Sequence, residues 1–127
     1  MKTILNNLRI IVKPVHGYAG QVLVVNRFRV PAEAADGFRE DVTAALALLA
    51  ARDGYLDGQI GRNVDDPELW VLSTRWVHVG AYRRALSSYD VKVGAVPLLS
   101  RALDEPSAYE SVVPGEALNI GSTRSLG

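Results

Sequence analysis

Gln21 to Val30, QVLVVNRFRV, alternates in the way a β-strand does. Side chains on a strand point to opposite faces with period two. Val22, Val24, Asn26 and Phe28 therefore share one face, and Leu23, Val25, Arg27 and Arg29 share the other. The first face is apolar except for Asn26. An amide brings two donors and two acceptors, and a buried polar group left unpaired costs about 1–3 kcal/mol. Asn26 must therefore be satisfied by the protein or by a ligand, and the sequence leaves both readings open.

Working outward, Pro31 suits the first turn of a helix, and little in Ala32 to Ala51 would stop one. Phe38, Val42, Ala45, Leu46 and Leu49 recur at helical spacing, so the segment is expected to lie as an amphipathic helix on the sheet. Asp53-Gly54 ends it. A second strand, Tyr55 to Asn63, contains Gly58 and Gly61, which predict a bulge, strong curvature or a close backbone approach. Asp65-Asp66-Pro67 then turns the chain into a third strand, Leu69 to Trp76, with Trp70, Leu72, Thr74 and Trp76 on one face. Gly80 to Ser87 is expected to be a short helix. Asp90 is placed to cap another that runs from Val91 toward Leu103 and is kinked or restarted at Pro97. Tyr109 to Val113 is the expected last strand.

The order strand, helix, strand, strand, helix, strand is the split βαβ arrangement of an α+β, ferredoxin-like domain, βαββαβ. Strands one and three carry apolar residues on both faces. Helices on one side leave the other side needing a cover, and an identical subunit supplies it most economically.

The chain has 127 residues, of which 48% are hydrophobic and 22% charged, the balance of one globular domain. Residues 21–113 are read as that domain, 1–20 as an N-terminal extension or arm and 114–127 as a C-terminal tail. Lys plus Arg and Asp plus Glu number 14 each, so no global field draws in nucleic acid or an anionic membrane. There is no cysteine, which excludes disulfides, thiolate nucleophiles and sulfur-ligated metals, and with two histidines no histidine-rich metal site within one chain is expected. The apolar run Leu8, Ile10, Ile11, Val12 is broken by Arg9, Lys13 and Pro14 and lacks a cleavage site, so it does not read as a signal peptide. No window approaches the roughly 18 apolar residues of a membrane span, and a cytoplasmic protein is expected.

Three stretches carry a resemblance: VVNRFRV in the first strand, GYLDGQIGR in the second after the long helix, and LWVLSTRW in the third before AYRRAL. In order, length and position the chain resembles the antibiotic biosynthesis monooxygenase domain, a dimeric α/β barrel in which two ferredoxin-like sheets face each other. The resemblance implies a homodimer and a small aromatic substrate. It also implies a cofactor-independent oxygenase chemistry in which a phenolic or quinol-type anion itself reduces dioxygen, with no cofactor and no metal. Asn26 and Trp76 match pocket positions of that family. Asn26 is then expected to polarise a substrate oxygen, with Tyr82 or His78 handling a proton, in a pocket lined by Phe28, Thr74, Trp76 and Tyr89.

Plainer roles stand beside these. Asn26 reads equally as a structural amide, Trp76 and Trp70 as core anchors, Tyr82 as a packed ring, Tyr89 as a corner filler and His78 as an exposed junction residue. A non-catalytic dimeric module that binds a small molecule or supports a neighbouring protein is the alternative function. Haem degradation ranks third, because the tryptophan and ligating histidine of haem-degrading relatives fall near Ala85 and Ala95.

Overall fold

The computed structural model describes residues 20–118. They divide into a main unit, Val22–Tyr109, and a smaller one represented by residues 20–21 and 110–118. The expected arm at 1–20 and the end of the expected tail, 119–127, lie essentially outside the described residues. Among the described residues no helix is long and apolar enough to cross a membrane.

The elements in chain order are β1 (Val22–Arg29), a 3-10 turn (Ala32–Ala34), α1 (Ala35–Ala50), β2 (Tyr55–Arg62), β3 (Leu69–Trp76), α2 (Val79–Ser87), α3 (Tyr89–Gly94), α4 (Val96–Leu99) and β4 (Ala108–Glu110). The sheet order is β2-β3-β1-β4, with β3 antiparallel to both β1 and β2. β1 and β2 thus run the same way with β3 between them, and α1 makes the crossover. This is the ferredoxin-like α+β fold that the element order predicts.

The register puts Val22 opposite Trp76, Val24 opposite Thr74, Asn26 opposite Leu72 and Phe28 opposite Trp70. These residues form the helix-covered face. α1 buries Phe38, Val42, Ala45 and Leu49 against it, and its Phe38 ring stands 5.1 Å from Phe28 and 5.3 Å from Trp70. Edge and tilted aromatic pairs at such spacings add to the area they bury. α2 buries Ala81, Tyr82 and Ala85, while Val91, Ala95 and Leu98 of the following segment complete the core.

Several local expectations are corrected. The first turn after Pro31 is a 3-10 turn, and the α-helix begins at Ala35. Asp90 does not cap the helix after α2; it lies in the first turn of α3, whose N-cap is Ser88. The chain starts afresh at Val96 with Pro97 in the first turn, where its missing N–H costs nothing. The last strand is three residues long and begins at Ala108.

The second strand does carry a bulge, but at Tyr55/Asp57 rather than at its glycines. The extra residue, Leu56, shifts the alternation so that Tyr55 lies opposite Trp76. Gly58 accommodates a close approach, since an added Cβ would lie 2.8 Å from Tyr55 Oη and 2.9 Å from the Ser73 carbonyl oxygen.

Gly54, between α1 and β2, has φ +88°, and a Cβ there would collide with Ala81 Cβ. Gly54→Ala is expected to destabilise the fold by about 1–3 kcal/mol from backbone strain alone, before the clash is relieved. Gly37, inside α1 with nothing within 4 Å of an added Cβ, supplies the control. Gly37→Ala is expected to stabilise by about 0.5–1 kcal/mol. Urea midpoints of the two variants should move in opposite directions.

Candidate functional site

The β1–β3 register brings Thr74 and Trp76 onto the helix-covered face beside Val24 and Val22. Trp76 is fully buried, and its Nε1–H donates to Thr74 Oγ1 at 2.9 Å. Its ring lies 5.5 Å from Tyr55, edge-on, and 5.6 Å from Tyr82, tilted. Tyr55, Thr74, Trp76 and Tyr82 therefore form one packed cluster between the sheet and α2. Tyr55 had no part in the expected pocket, because simple alternation through Leu56 hides its face. The glycine at 58 was the available signal.

Phe28 sits at the other end of the same face, packed on Phe38. Asn26 lies between them, two residues from buried Val24 and two from buried Phe28. It is half-buried, and among the described residues its side chain makes no hydrogen bond. Tyr82, only 9% exposed, likewise has a hydroxyl without a hydrogen-bond partner among the described residues. Burial raises the Tyr82 pKa above the ordinary phenol value, so the hydroxyl stays protonated and serves as a donor near neutral pH.

The structure places His78 and Tyr89 elsewhere. His78 is exposed at the N-terminus of α2, where its Nδ1 accepts the Ala81 N–H at 3.1 Å. That bond puts the neutral ring's proton on Nε2, and protonating Nδ1 would break the cap. Tyr89 opens α3 with 77% of its surface exposed. The positions aligned with haem-binding residues, Ala85 and Ala95, are buried alanines without a ligating atom.

The opposite face of the sheet carries ion pairs among half-buried apolar residues. Arg75 and Asp57 face each other across β3 and β2 and bond through both oxygens, at 2.9 and 2.7 Å. Arg27 forms a second two-pronged pair with Glu105, at 2.8 and 2.7 Å. Arg29 donates to Asp66 at 2.7 Å. Arg62 lies over the Trp70 ring at 5.5 Å. Leu23, Val25, Arg27, Glu105, Pro106 and Tyr109 bound a groove of about 500 Å3 on this face.

The hydrogen bonds from Arg27 hold the Glu105 carboxyl below the usual carboxylate range, and those from Arg29 and the Glu68 N–H do the same for Asp66. Both carboxyls bind protons less readily folded than unfolded. Their contribution is present above the ordinary carboxylate range and fades as pH falls through the depressed folded values. Glu105→Gln and Asp66→Asn are expected to lower the urea midpoint at neutral pH, and the gap to wild type should close in strong acid.

Residues 21–95 match the family model for antibiotic biosynthesis monooxygenase. The chain belongs to the antibiotic biosynthesis monooxygenase family. Solved structures similar to this family member include SnoaB, a cofactor-independent oxygenase from Streptomyces nogalater. It is 25% identical, covers 77% of this chain and 100% of its own, and superposes with a TM-score of 0.65. A conserved protein from Methanosarcina mazei Go1 is 21% identical over 72% of this chain and 93% of its own, with a TM-score of 0.61. Rv0793 from Mycobacterium tuberculosis is 20% identical over 76% of this chain and 98% of its own, with a TM-score of 0.58. These two establish a shared fold. No curated protein sequence matches this monooxygenase-family chain.

Proposed function

We propose that the protein is a cofactor-independent monooxygenase that oxidises a phenolic or quinol-type aromatic with dioxygen, working as a homodimer. The observation that carries this reading is the half-buried Asn26 amide, without a hydrogen-bond partner among the described residues, on a face of β1 that is otherwise apolar. The hydroxyl of Tyr82, on the same side of the sheet and unbonded among the described residues, adds a second group able to meet a substrate oxygen.

The chemistry asks little of the protein beyond these groups. The substrate phenol loses its proton, and the electron-rich ring carbon of the anion transfers an electron to dioxygen. The radical pair combines, forming a carbon–oxygen bond as a hydroperoxide. Loss of the remaining hydrogen from that carbon breaks the O–O bond, leaving a quinone carbonyl and one water. The substrate supplies the electrons. Asn26 N–H donation stabilises the developing oxyanion, and Tyr82 O–H donates to the peroxide or ring oxygen, in an environment dry enough to strengthen both. His78 is spent on its helix cap, so Tyr82 is the better proton-handling candidate.

The homodimer reading is supported by the second sheet face, where Leu23, Val25, Leu69 and Val71 are only half-buried around the groove and its ion pairs. A second copy laid there removes them from water. Turnover under isotopically labelled dioxygen tests the activity: one labelled atom is expected in the quinone and one in water. Label absent from a product formed at enzymic rate would rule out the oxygenase chemistry.

One observation favours the second reading, a non-catalytic dimeric binding module. Trp76 and Tyr82 pack directly on each other and Trp76 bonds Thr74, which is how a closed core is built. Asn26 weighs against it, since a purely structural amide should be bonded by protein.

A further inference from the structure

Three oxidisable rings stand in line between the sheet and α2. The Trp76 centroid lies 5.5 Å from that of Tyr55 and 5.6 Å from that of Tyr82, the spacing of aromatic rings in direct contact. Residues 20–118 contain neither cysteine nor methionine, so tyrosine and tryptophan are their most readily oxidised side chains. The middle and the outer end of the line differ in what they can do with a proton. Trp76 is fully buried, and its Nε1–H is held by the Thr74 hydroxyl, which is too weak a base to take the proton. The indole can therefore pass an electron while keeping its hydrogen. Tyr55 is half-buried at the start of β2, an edge strand of the sheet. Its hydroxyl makes no hydrogen bond among the described residues and is not sealed from water. Burial and then the Asp57 carboxylate raise its pKa above the ordinary phenol value, so it holds its proton until it loses an electron. The other tryptophan has a different setting. Trp70 packs on Phe38 and touches no tyrosine ring among the described residues, and the Arg62 cation over its face disfavours a positive charge on that indole.

We propose that Tyr55, Trp76 and Tyr82 form an electron relay, which delivers one electron from the Tyr55 phenol at the sheet edge to an organic peroxyl radical at the Tyr82 end. The oxidant rests on the oxygenase reading. If superoxide leaves before the radical pair combines, the substrate radical adds a second dioxygen and becomes a peroxyl radical. The Tyr82 O–H then gives its hydrogen atom to the peroxyl oxygen, forming the same hydroperoxide as the direct route. The Tyr82 phenoxyl takes an electron from Tyr55 through Trp76 and a proton from water, and Tyr55 releases its own proton to solvent. The net change is peroxyl radical plus Tyr55 phenol to hydroperoxide plus Tyr55 phenoxyl. A soluble thiol restores Tyr55 by donating a hydrogen atom. The relay thus moves a stray oxidising equivalent out of the site to a place where a reductant can meet it.

The test is flash photolysis of the full chain without any substrate, so its outcome does not depend on whether the oxygenase reading holds. A near-ultraviolet flash at the wavelength edge where only tryptophan absorbs ejects an electron from an indole, and a chloropentaamminecobalt(III) salt scavenges that electron. The tryptophan radical signal is expected to decay as a tyrosine phenoxyl signal grows, at a rate independent of protein concentration. Trp70→Phe should keep this transfer and Trp76→Phe should lose it. Tyr55→Phe should lose most of the phenoxyl signal, and Tyr55→Phe with Tyr82→Phe all of it. Tyr89→Phe, at an exposed position, should leave it unchanged. Circular dichroism checks that each variant is folded; the tyrosine variants remove only hydroxyls without a partner among the described residues and keep their rings. No phenoxyl signal in wild type, a rate that scales with concentration, or an undiminished signal in Trp76→Phe or in the double tyrosine variant would overturn the proposal.

Discussion

Trp76→Ala is expected to remove about 3–5 kcal/mol of stability, the range for deleting a fully buried large aromatic. Several losses coincide there. The ring is completely buried, it contacts Tyr55 on one side and Tyr82 on the other, and its Nε1–H satisfies the buried Thr74 hydroxyl. A domain of this size is typically stable by about 5–15 kcal/mol, so the variant should retain little margin and is best read at low temperature. Trp76→Phe keeps an aromatic ring between the two tyrosines but strands the Thr74 hydroxyl. It should cost less than Trp76→Ala and still at least about 1 kcal/mol. Urea denaturation of the three proteins measures both steps. A Trp76→Ala protein within about 1 kcal/mol of wild type would mean that the cluster does not close the space between β3 and α2.

Asn26→Ala is expected to behave in the opposite way, sparing the fold and damaging turnover. The amide bonds no protein group among the described residues, so its removal strands no partner and should change stability by less than about 1 kcal/mol. If it donates to a developing oxyanion, losing it should lower kcat about 100- to 1,000-fold, the effect of removing one such donor. Asn26→Leu, which fills the volume with apolar atoms, should be as inactive and as well folded. A large stability loss with unimpaired turnover would identify Asn26 as a structural amide.

Much of this fold is legible in the sequence because a few residues fix the period. The alternation in Val22–Arg29 and Leu69–Trp76 identifies both central strands and their faces, and Phe38, Val42, Ala45 and Leu49 identify the buried side of α1. What escapes reading depends on geometry between elements. The bulge at Leu56 turns Tyr55 toward Trp76, and only the packing of Tyr55 over Gly58 reveals why. Asp90 looks like a cap by composition, but Ser88 takes the N-cap position and α3 starts at Tyr89, leaving Asp90 inside the first turn.

The candidate site divides along the same line. Thr74, Trp76 and Tyr82 meet because strand parity and helix spacing put them on facing surfaces, which sequence carries directly. Side-chain orientation at junctions is not carried this way. His78 could be read as a base until its Nδ1 is seen to hold the Ala81 N–H, and Tyr89 as a pocket wall until α3 points it outward with 77% of its surface exposed. The Arg27–Glu105 pair is similarly out of reach: Glu105 is 78 residues from Arg27 and meets it only because the chain returns along β1.

On the proposed reading, the polar groups between sheet and helices let an aromatic substrate reduce dioxygen without a cofactor. Oxygen consumption by chelator-treated, flavin-free protein, with a panel of anthrols, naphthols and quinols, tests it most directly. Uptake above the uncatalysed rate is expected for wild type, with a fall toward background for Asn26→Ala at equal folded concentration. Uptake that is identical in wild type and Asn26→Ala, or that disappears from wild type once metal and flavin are removed, would contradict it.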